Sequence, residues 1–473
     1  MQAKESNGKD VGQEIMKTDL ATRMAQWSVN LAWGDLPAAV VHEVKRRVID
    51  SLGCAYGAWR AEPSEIARKV AGRLSAKPGA MVLGTRQVAP PDWAAFANGC
   101  MVRYLDYNDT YLSKEPAHPS DNIPATLAAA QAGSAGGKAA IAAIALAYEV
   151  QCRLCDSVSI RSRGWDHVTY GAFSTALAAA KAMNLSLEKT RHALGIAGVA
   201  SGNLRQSRVG ELSHWKGCAF ANAARHGIYA AMLAAEGMTG PAPIFEGQHG
   251  FEKLISGPLD PQGPFAEGKK WEGDFMILKT SIKFWPAEYH SQSAIEAAME
   301  LRKQIGSTEQ IKGILIESHD ASVDIIGSSP EQWKPMSRET ADHSLPYITA
   351  AALMDGEITP QQFARERFTE AKLLGLVAKV KVVRNGELSG KYPREVGNIV
   401  AIEMNDGRKI SKRVDVPTGN ALRPLTDEQV MKKFHSMADE IIPREQADSL
   451  AEWVWGMEKH ENVDELFARA VVK

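Results

Sequence analysis

Residues 398–414 read NIVAIEM-NDG-RKISKRV. Two β-type runs, Asn398–Met404 and Arg408–Val414, flank Asn405-Asp406-Gly407, and an Asp-Gly pair tolerates the positive φ of a tight turn. This is a hairpin signal, and it sits late in a chain that otherwise reads as helix. Upstream, Leu374–Arg384 alternates, with Val380 and Val382 opposite Lys379 and Lys381. Ile311–Ser318 and Phe275–Ile282 are further short β-type runs. Downstream of Pro417 the helical pattern returns at Asp427–Met437, Arg444–Trp455 and Val463–Val472.

Before about residue 270 the sequence reads as helix after helix. Asp35-Leu36-Pro37 has the chemistry of a helix start, with Asp35 as cap. Ala-rich helical segments follow at Ile123–Gln131, Lys138–Cys155, Ala172–Met183, Leu187–Val199 and Gly217–Glu236. The pattern predicts an α+β protein: a large all-helical domain completed by the C-terminal helices, with a smaller α+β lid domain inserted. The expected limits are 17–272 and 417–473 for the helical domain, 273–416 for the lid, and 1–16 for a flexible tail. A cleft between the two is the expected ligand site.

Composition removes several classes. The 473 residues carry 55 Lys plus Arg against 56 Asp plus Glu, a formal net charge of −1, so no basic surplus points to nucleic acid. Hydrophobic residues make up 45%, which excludes disorder over the whole length. Five Cys make no disulfide framework and suit a reducing compartment. The first residues are polar and acidic, unlike a secretory signal, and no stretch approaches the ~20 apolar residues of a membrane span. A cytoplasmic protein that binds neither nucleic acid nor membrane is expected.

The densest polar cluster runs from Arg103 through Asp106, Asp109 and Thr110 to His118-Pro119-Ser120-Asp121. Asp106 and Thr110 would share a face if helical, and Ser120 or Asp121 could cap the next helix. A capped, solvated loop is the competing reading. His167, between Trp165-Asp166 and an Ala-rich helix, is a candidate acid or base. Arg205, Arg208, His214 and Lys216 crowd a short loop between apolar helices, the composition of a carboxylate or phosphate receptor. Lys283 to Gln292 and Asp342 to Tyr347 each precede a helix and read equally as ordinary capped turns. Cys152 and Cys155, with Cys100, could in principle hold an iron–sulfur cluster. The pair lies in a helical run without a turn to converge the thiolates, so buried apolar side chains are expected instead.

Taken together, Leu105–Thr110, His118–Asn122, Gly164–His167, Arg205–Lys216, Phe284–Glu296 and Asp342–Tyr347 resemble the motifs of the MmgE/PrpD family, in order and over nearly the whole chain. That family includes 2-methylcitrate dehydratase and cis-aconitate decarboxylase. The resemblance implies a helical domain with an α+β lid, a homodimer, and no metal or other cofactor. By motif, the active-site set of the decarboxylase branch falls on Asp106, Thr110, His118, His167, Lys216, Lys283 and Tyr347. The run from Pro286 to Gln292, and the spacing from Thr110 to His118, look more like the methylcitrate dehydratase branch. The expected activity is dehydration of a β-hydroxy tricarboxylate, 2-methylcitrate to 2-methyl-cis-aconitate. Asp106, His118, His167, Lys216 and Tyr347 are the expected catalytic residues, and Arg103, Thr110, Arg205, Arg208 and Lys283 the expected substrate-binding ones. Cis-aconitate decarboxylation, another carboxylic-acid lyase reaction and a non-catalytic carboxylate-binding role are the alternatives.

Overall fold

A computed structural model describes residues 18–267 and 271–473. The expected tail at 1–16 lies outside the described residues. The fold is mixed α+β, with helices dominant. The Ala-rich segments are the helices Asn122–Ala132, Gly137–Ser157, Val168–Ala182, Leu187–Ala200 and Trp215–Ala235. Small side chains let them pack closely: a Cβ at Gly99 would lie 2.8 Å from that of Ala221 on the facing helix. Among the described residues no helix is long and apolar enough to cross a membrane.

The helix expected to open at Asp35 starts later, at Ala38–Gly57. Asp35 instead ends a 3-10 turn, Trp33–Asp35, where its carboxylate accepts the Ala32 N–H at 2.8 Å.

A four-stranded sheet holds the β-type runs. Its spatial order is Val380–Arg384, Ile311–Ser318, Asn398–Met404, Lys409–Val414. The first pair is parallel and the others antiparallel, and the hairpin turns at the Asp-Gly pair. The run Phe275–Ile282 is not a strand. Residues Met276–Lys279 form a 3-10 turn, and only Ser281–Ile282 pairs, antiparallel with Asp109–Thr110. The Met276 N–H is satisfied by the buried Glu149 carboxylate rather than by a neighbouring strand. Leu374–Val377 also departs from expectation, lying in the helix Ala371–Val377 that buries Leu373, Leu376 and Val377.

Buried apolar residues form two main clusters. One runs through the helices of residues 20–265 and includes Val430, Phe434, Leu450, Trp453 and Phe467 from the C-terminal segment. The other lies between residues 285 and 414, built from the sheet and the helices Gln292–Arg302 and Leu345–Asp355. The C-terminal helix Asp427–Ala438 packs on Ala38–Gly57, where Cβ atoms at Gly53 and Gly57 would meet Met437 at 3.0 Å or closer.

Candidate active site

Arg103 ends the helix Pro91–Arg103, and the chain then turns sharply. Asp106 takes a left-handed conformation, φ 52°, a region open to Asp. The helical relation expected between Asp106 and Thr110 is therefore absent, because the helix stops first and Thr110 lies in the Asp109–Thr110 strand. The partner strand Ser281–Ile282 delivers Lys283 to the turn. Lys283 Nζ donates at 2.8 Å to both the Asp106 carbonyl and its Oδ1. Lys216, in the first turn of the helix Trp215–Ala235, reaches Asp106 Oδ2 at 3.3 Å, and Arg103 also donates to Oδ1. Burial favours the neutral form of Asp106, but Arg103, Lys216, Lys283 and His343 outweigh it and hold the carboxyl well below its usual range. Burial lowers the pKa of Lys216 and of Lys283, with Asp106 opposing the shift in both.

Lys433, on Asp427–Ala438, braces this turn from behind. Its Nζ donates to the carbonyls of Tyr107 at 2.6 Å and Lys283 at 2.9 Å, and pairs with buried Asp50 at 2.6 Å.

Two imidazoles stand beside the carboxylate hub. His118 Nδ1 donates to the Asp109 carbonyl at 2.7 Å. A carbonyl only accepts, so this contact puts the proton on Nδ1 and leaves Nε2 as a lone pair, 4.0 Å from Asp106 Oδ1. Burial, then Arg103 and Lys283, push the His118 pKa well below the ordinary imidazole value. His167 Nδ1 lies 2.8 Å from Asp166 Oδ1, and its buried Nε2 has no hydrogen-bond partner among the described residues. The two rings are 6.0 Å apart, centroid to centroid. Asp166 is also held by Arg208 at 2.8 Å and Ser207 at 2.7 Å.

These groups line a cavity of about 530 Å³ walled by the helical part and by residues 283–343. Arg103, Asp106, Thr110, His118, His167, Arg205, Arg208, Lys216 and Lys283 all reach it. Tyr347 does not. The helix Leu345–Asp355 begins at Leu345, capped by Ser344, which turns Tyr347 into the second apolar cluster, where its hydroxyl donates to the Gln362 carbonyl. The catalytic expectation for Tyr347 is corrected on that ground. The expected capping by Asp121 is also absent: its carboxylate accepts from Asn108 at 2.7 Å and lies 3.5 Å from Arg103.

His343 is one of the lining residues, with Arg161, that the sequence reading did not single out. Its Nδ1 contacts Asp342 at 2.6 Å, and its Nε2 lies 3.6 Å from Asp106 Oδ2. The signal was present: Asp342-His343 repeats the Asp166-His167 pattern, an Asp-His pair just ahead of an Ala-containing helix.

Asp106, Asp342 and His343 place ligand atoms within 4.8 Å of one another. Lys216 lies 3.3 Å from Asp106 and 3.6 Å from Asp342, while Lys283 and Arg338 hold further oxygens of these carboxylates. This cationic collar opposes a metal ion. Cys152 and Cys155 are buried in Gly137–Ser157, and burial pushes both thiols well above their usual range, unlike metal-ready thiolates.

Sequence comparisons bear on the family. The MmgE/PrpD N-terminal domain matches residues 22–263 and the C-terminal domain residues 285–457. The chain is 28% identical over 448 residues to a probable 2-methylcitrate dehydratase of Saccharomyces cerevisiae, covering 88% of this chain and 82% of the relative. It is 28% identical over 452 residues to 2-methylcitrate dehydratase of Cupriavidus necator, covering 88% and 90%. To cis-aconitate decarboxylase of Homo sapiens it is 27% identical over 453 residues, covering 91% and 90%. These similarities support dehydratase or lyase chemistry at the level of the family. With both domains matched in order across most of its length, the chain belongs to the MmgE/PrpD family.

Proposed function

We propose that this chain is a metal-independent carbon–oxygen lyase that dehydrates a β-hydroxy tricarboxylate, 2-methylcitrate, to 2-methyl-cis-aconitate. The observation that carries this reading is the pair of imidazoles. Each commits Nδ1 to an acceptor or carboxylate, leaving two Nε2 atoms for substrate in one cation-lined cavity.

In this reaction a C–H bond α to a carboxylate breaks. Its electron pair forms the double bond as the β C–O bond breaks, and the hydroxide leaves as water after taking a proton. His118 suits the base, because its surroundings keep it neutral with Nε2 unprotonated. His167, across the cavity and backed by Asp166, is assigned the acid. Negative charge that develops on the α-carboxylate needs fixed positive charge nearby, which Lys216 and Lys283 supply. Asp106 keeps those two ammonium groups at one point, and Thr110 is assigned to placing substrate oxygens. The helical part and residues 273–416 are assigned the roles of base and lid, closing on substrate and excluding water. The names of the dehydratase relatives motivate this substrate, and that of the decarboxylase relative motivates the alternative.

The test is incubation of the purified protein with 2-methylcitrate and, separately, cis-aconitate, following unsaturated product and carbon dioxide. Dehydration of the first without carbon dioxide release from the second is expected. Carbon dioxide release from cis-aconitate would replace the dehydratase reading with a decarboxylase, and binding without turnover of either would replace it with a carboxylate-binding role.

A further inference from the structure

The cations that line the cavity fall into two groups. Arg103, Lys216 and Lys283 already contact Asp106, and Arg208 contacts Asp166. Arg161 and Arg205 differ. Both line the same cavity and are partly buried, yet among the described residues neither guanidinium makes a side-chain hydrogen bond or ion pair.

The backbone holds these two side chains in place. Buried Glu115 accepts from Ser159 Oγ at 2.7 Å, Ile160 N–H at 2.8 Å and Arg161 N–H at 3.1 Å, which fixes the turn Arg161–Arg163. Gly164 follows at φ 85°, and its carbonyl accepts the Arg205 N–H at 2.9 Å. Trp165 and Leu204 form a bridge beside that bond. Two separate loops are thus laced so that their arginines face one space. Burial disfavours the charged form of Arg205; the Asp166 and Glu115 carboxylates oppose that shift, and the like charges of Arg161 and Arg208 add to it. Two guanidiniums that line one cavity, neither with a hydrogen-bonded or ion-paired partner among the described residues, gain from an anion that enters between them.

We propose that Arg161 and Arg205 form a distal carboxylate receptor, apart from the hub of Asp106, Lys216 and Lys283, that selects acids with a third carboxylate over those with two. The inference rests on the tricarboxylate reading above and adds the residues that read the extra group. The hub would hold the carboxylate next to the reacting carbons, and the arginine pair would hold the far one. Arg161 would act through ground-state binding, so its loss would appear in KM rather than in kcat.

Calorimetric titration separates the possibilities, using propane-1,2,3-tricarboxylate and glutarate, which the proposed dehydration cannot consume. The unaltered protein should bind the tricarboxylate more tightly than the dicarboxylate. Arg161→Gln and Arg205→Gln should each weaken the tricarboxylate by about 10- to 100-fold, as expected for losing a charge-assisted hydrogen bond. Glutarate affinity should not change, and Arg→Lys at either position should recover part of the loss. Circular dichroism of each variant establishes that it is folded. Unchanged tricarboxylate binding in both variants, or equal losses for both acids, would overturn the receptor. Turnover of 2-methylcitrate by the unaltered protein is read separately. Its absence alongside the expected binding pattern would overturn the reaction and leave the receptor standing.

Discussion

His118 and His167 differ in what holds the second ring nitrogen: a backbone carbonyl for one, a carboxylate for the other. That difference underlies their separate assignments as base and acid. Replacing either by Ala should lower kcat by about 10²–10⁴-fold while changing KM far less, since each group would move a proton only in the transition state. A change confined to KM would make them binding residues. The pH profile gives an independent check. His118 has its pKa lowered in the folded protein, so its neutral, basic form persists as pH falls below the ordinary imidazole value of about 6.5. Activity that depends on it should fall only at a lower pH, and an acid limb at or above 6.5 would contradict the assignment. His343 and Tyr347 make a contrasting pair. His343→Gln should cut turnover, because the ring touches the Asp106 hub. Tyr347→Phe should leave turnover intact and cost about 1–2 kcal/mol of stability on denaturant unfolding, from the Gln362 carbonyl it strands. The sequence motifs located most of this site, since nine of the ten expected residues line the cavity. They missed the exchange of Tyr347 for His343 because facing is set by where a helix begins. A start at Leu345 puts Tyr347 on the buried side, and motif order carries no such phase information.

At the scale of elements, legibility followed the strength of local chemistry. The hairpin around Asn405-Asp406-Gly407 and the strand Ile311–Ser318 were readable, because turn chemistry and β-type composition agree there. Phe275–Ile282 was not, because the partner of its Met276 N–H is a buried carboxylate on a distant helix, which no local pattern encodes. The pairing of Asp109–Thr110 with Ser281–Ile282 was equally hidden, and it brings Lys283 to Asp106. The helix Asp427–Ala438 supports that pairing through Lys433. Lys433→Met should destabilise the protein by about 3–5 kcal/mol, because it leaves Asp50 as a buried charge without its partner. Adding Asp50→Asn should recover part of that loss in a double-mutant cycle. If denaturant unfolding found the single variant as stable as the parent, the ion pair would have no structural weight.

Across the whole molecule, the buried apolar residues form two main clusters, and the cavity wall draws on residues 103–216 and 283–343. The cationic collar around Asp106 and Asp342 is the physical basis for expecting reaction without a metal. Turnover should therefore survive chelator treatment, and survive Cys152→Ala with Cys155→Ala. Activity lost to a chelator and restored only by iron would sink that expectation. The lid role proposed above for residues 273–416 predicts a smaller radius of gyration in solution scattering when a tricarboxylate is added, and an unchanged radius would count against it.

Lys433 also sets an order in time. Tyr107, whose carbonyl it clamps, precedes it by 326 positions. At a synthesis rate of about 5–20 residues per second, roughly 16–65 s separate the two on the ribosome. Throughout that interval the turn that carries Asp106 lacks its brace, and Asp50 lacks its counter-charge. A chain that stalls before Lys433 can therefore hold the reactive residues without holding them in position. Assembly of the site therefore waits on a residue made long after the motifs that carry its chemistry, and a fragment that lacks Lys433 lacks the brace that sets their geometry.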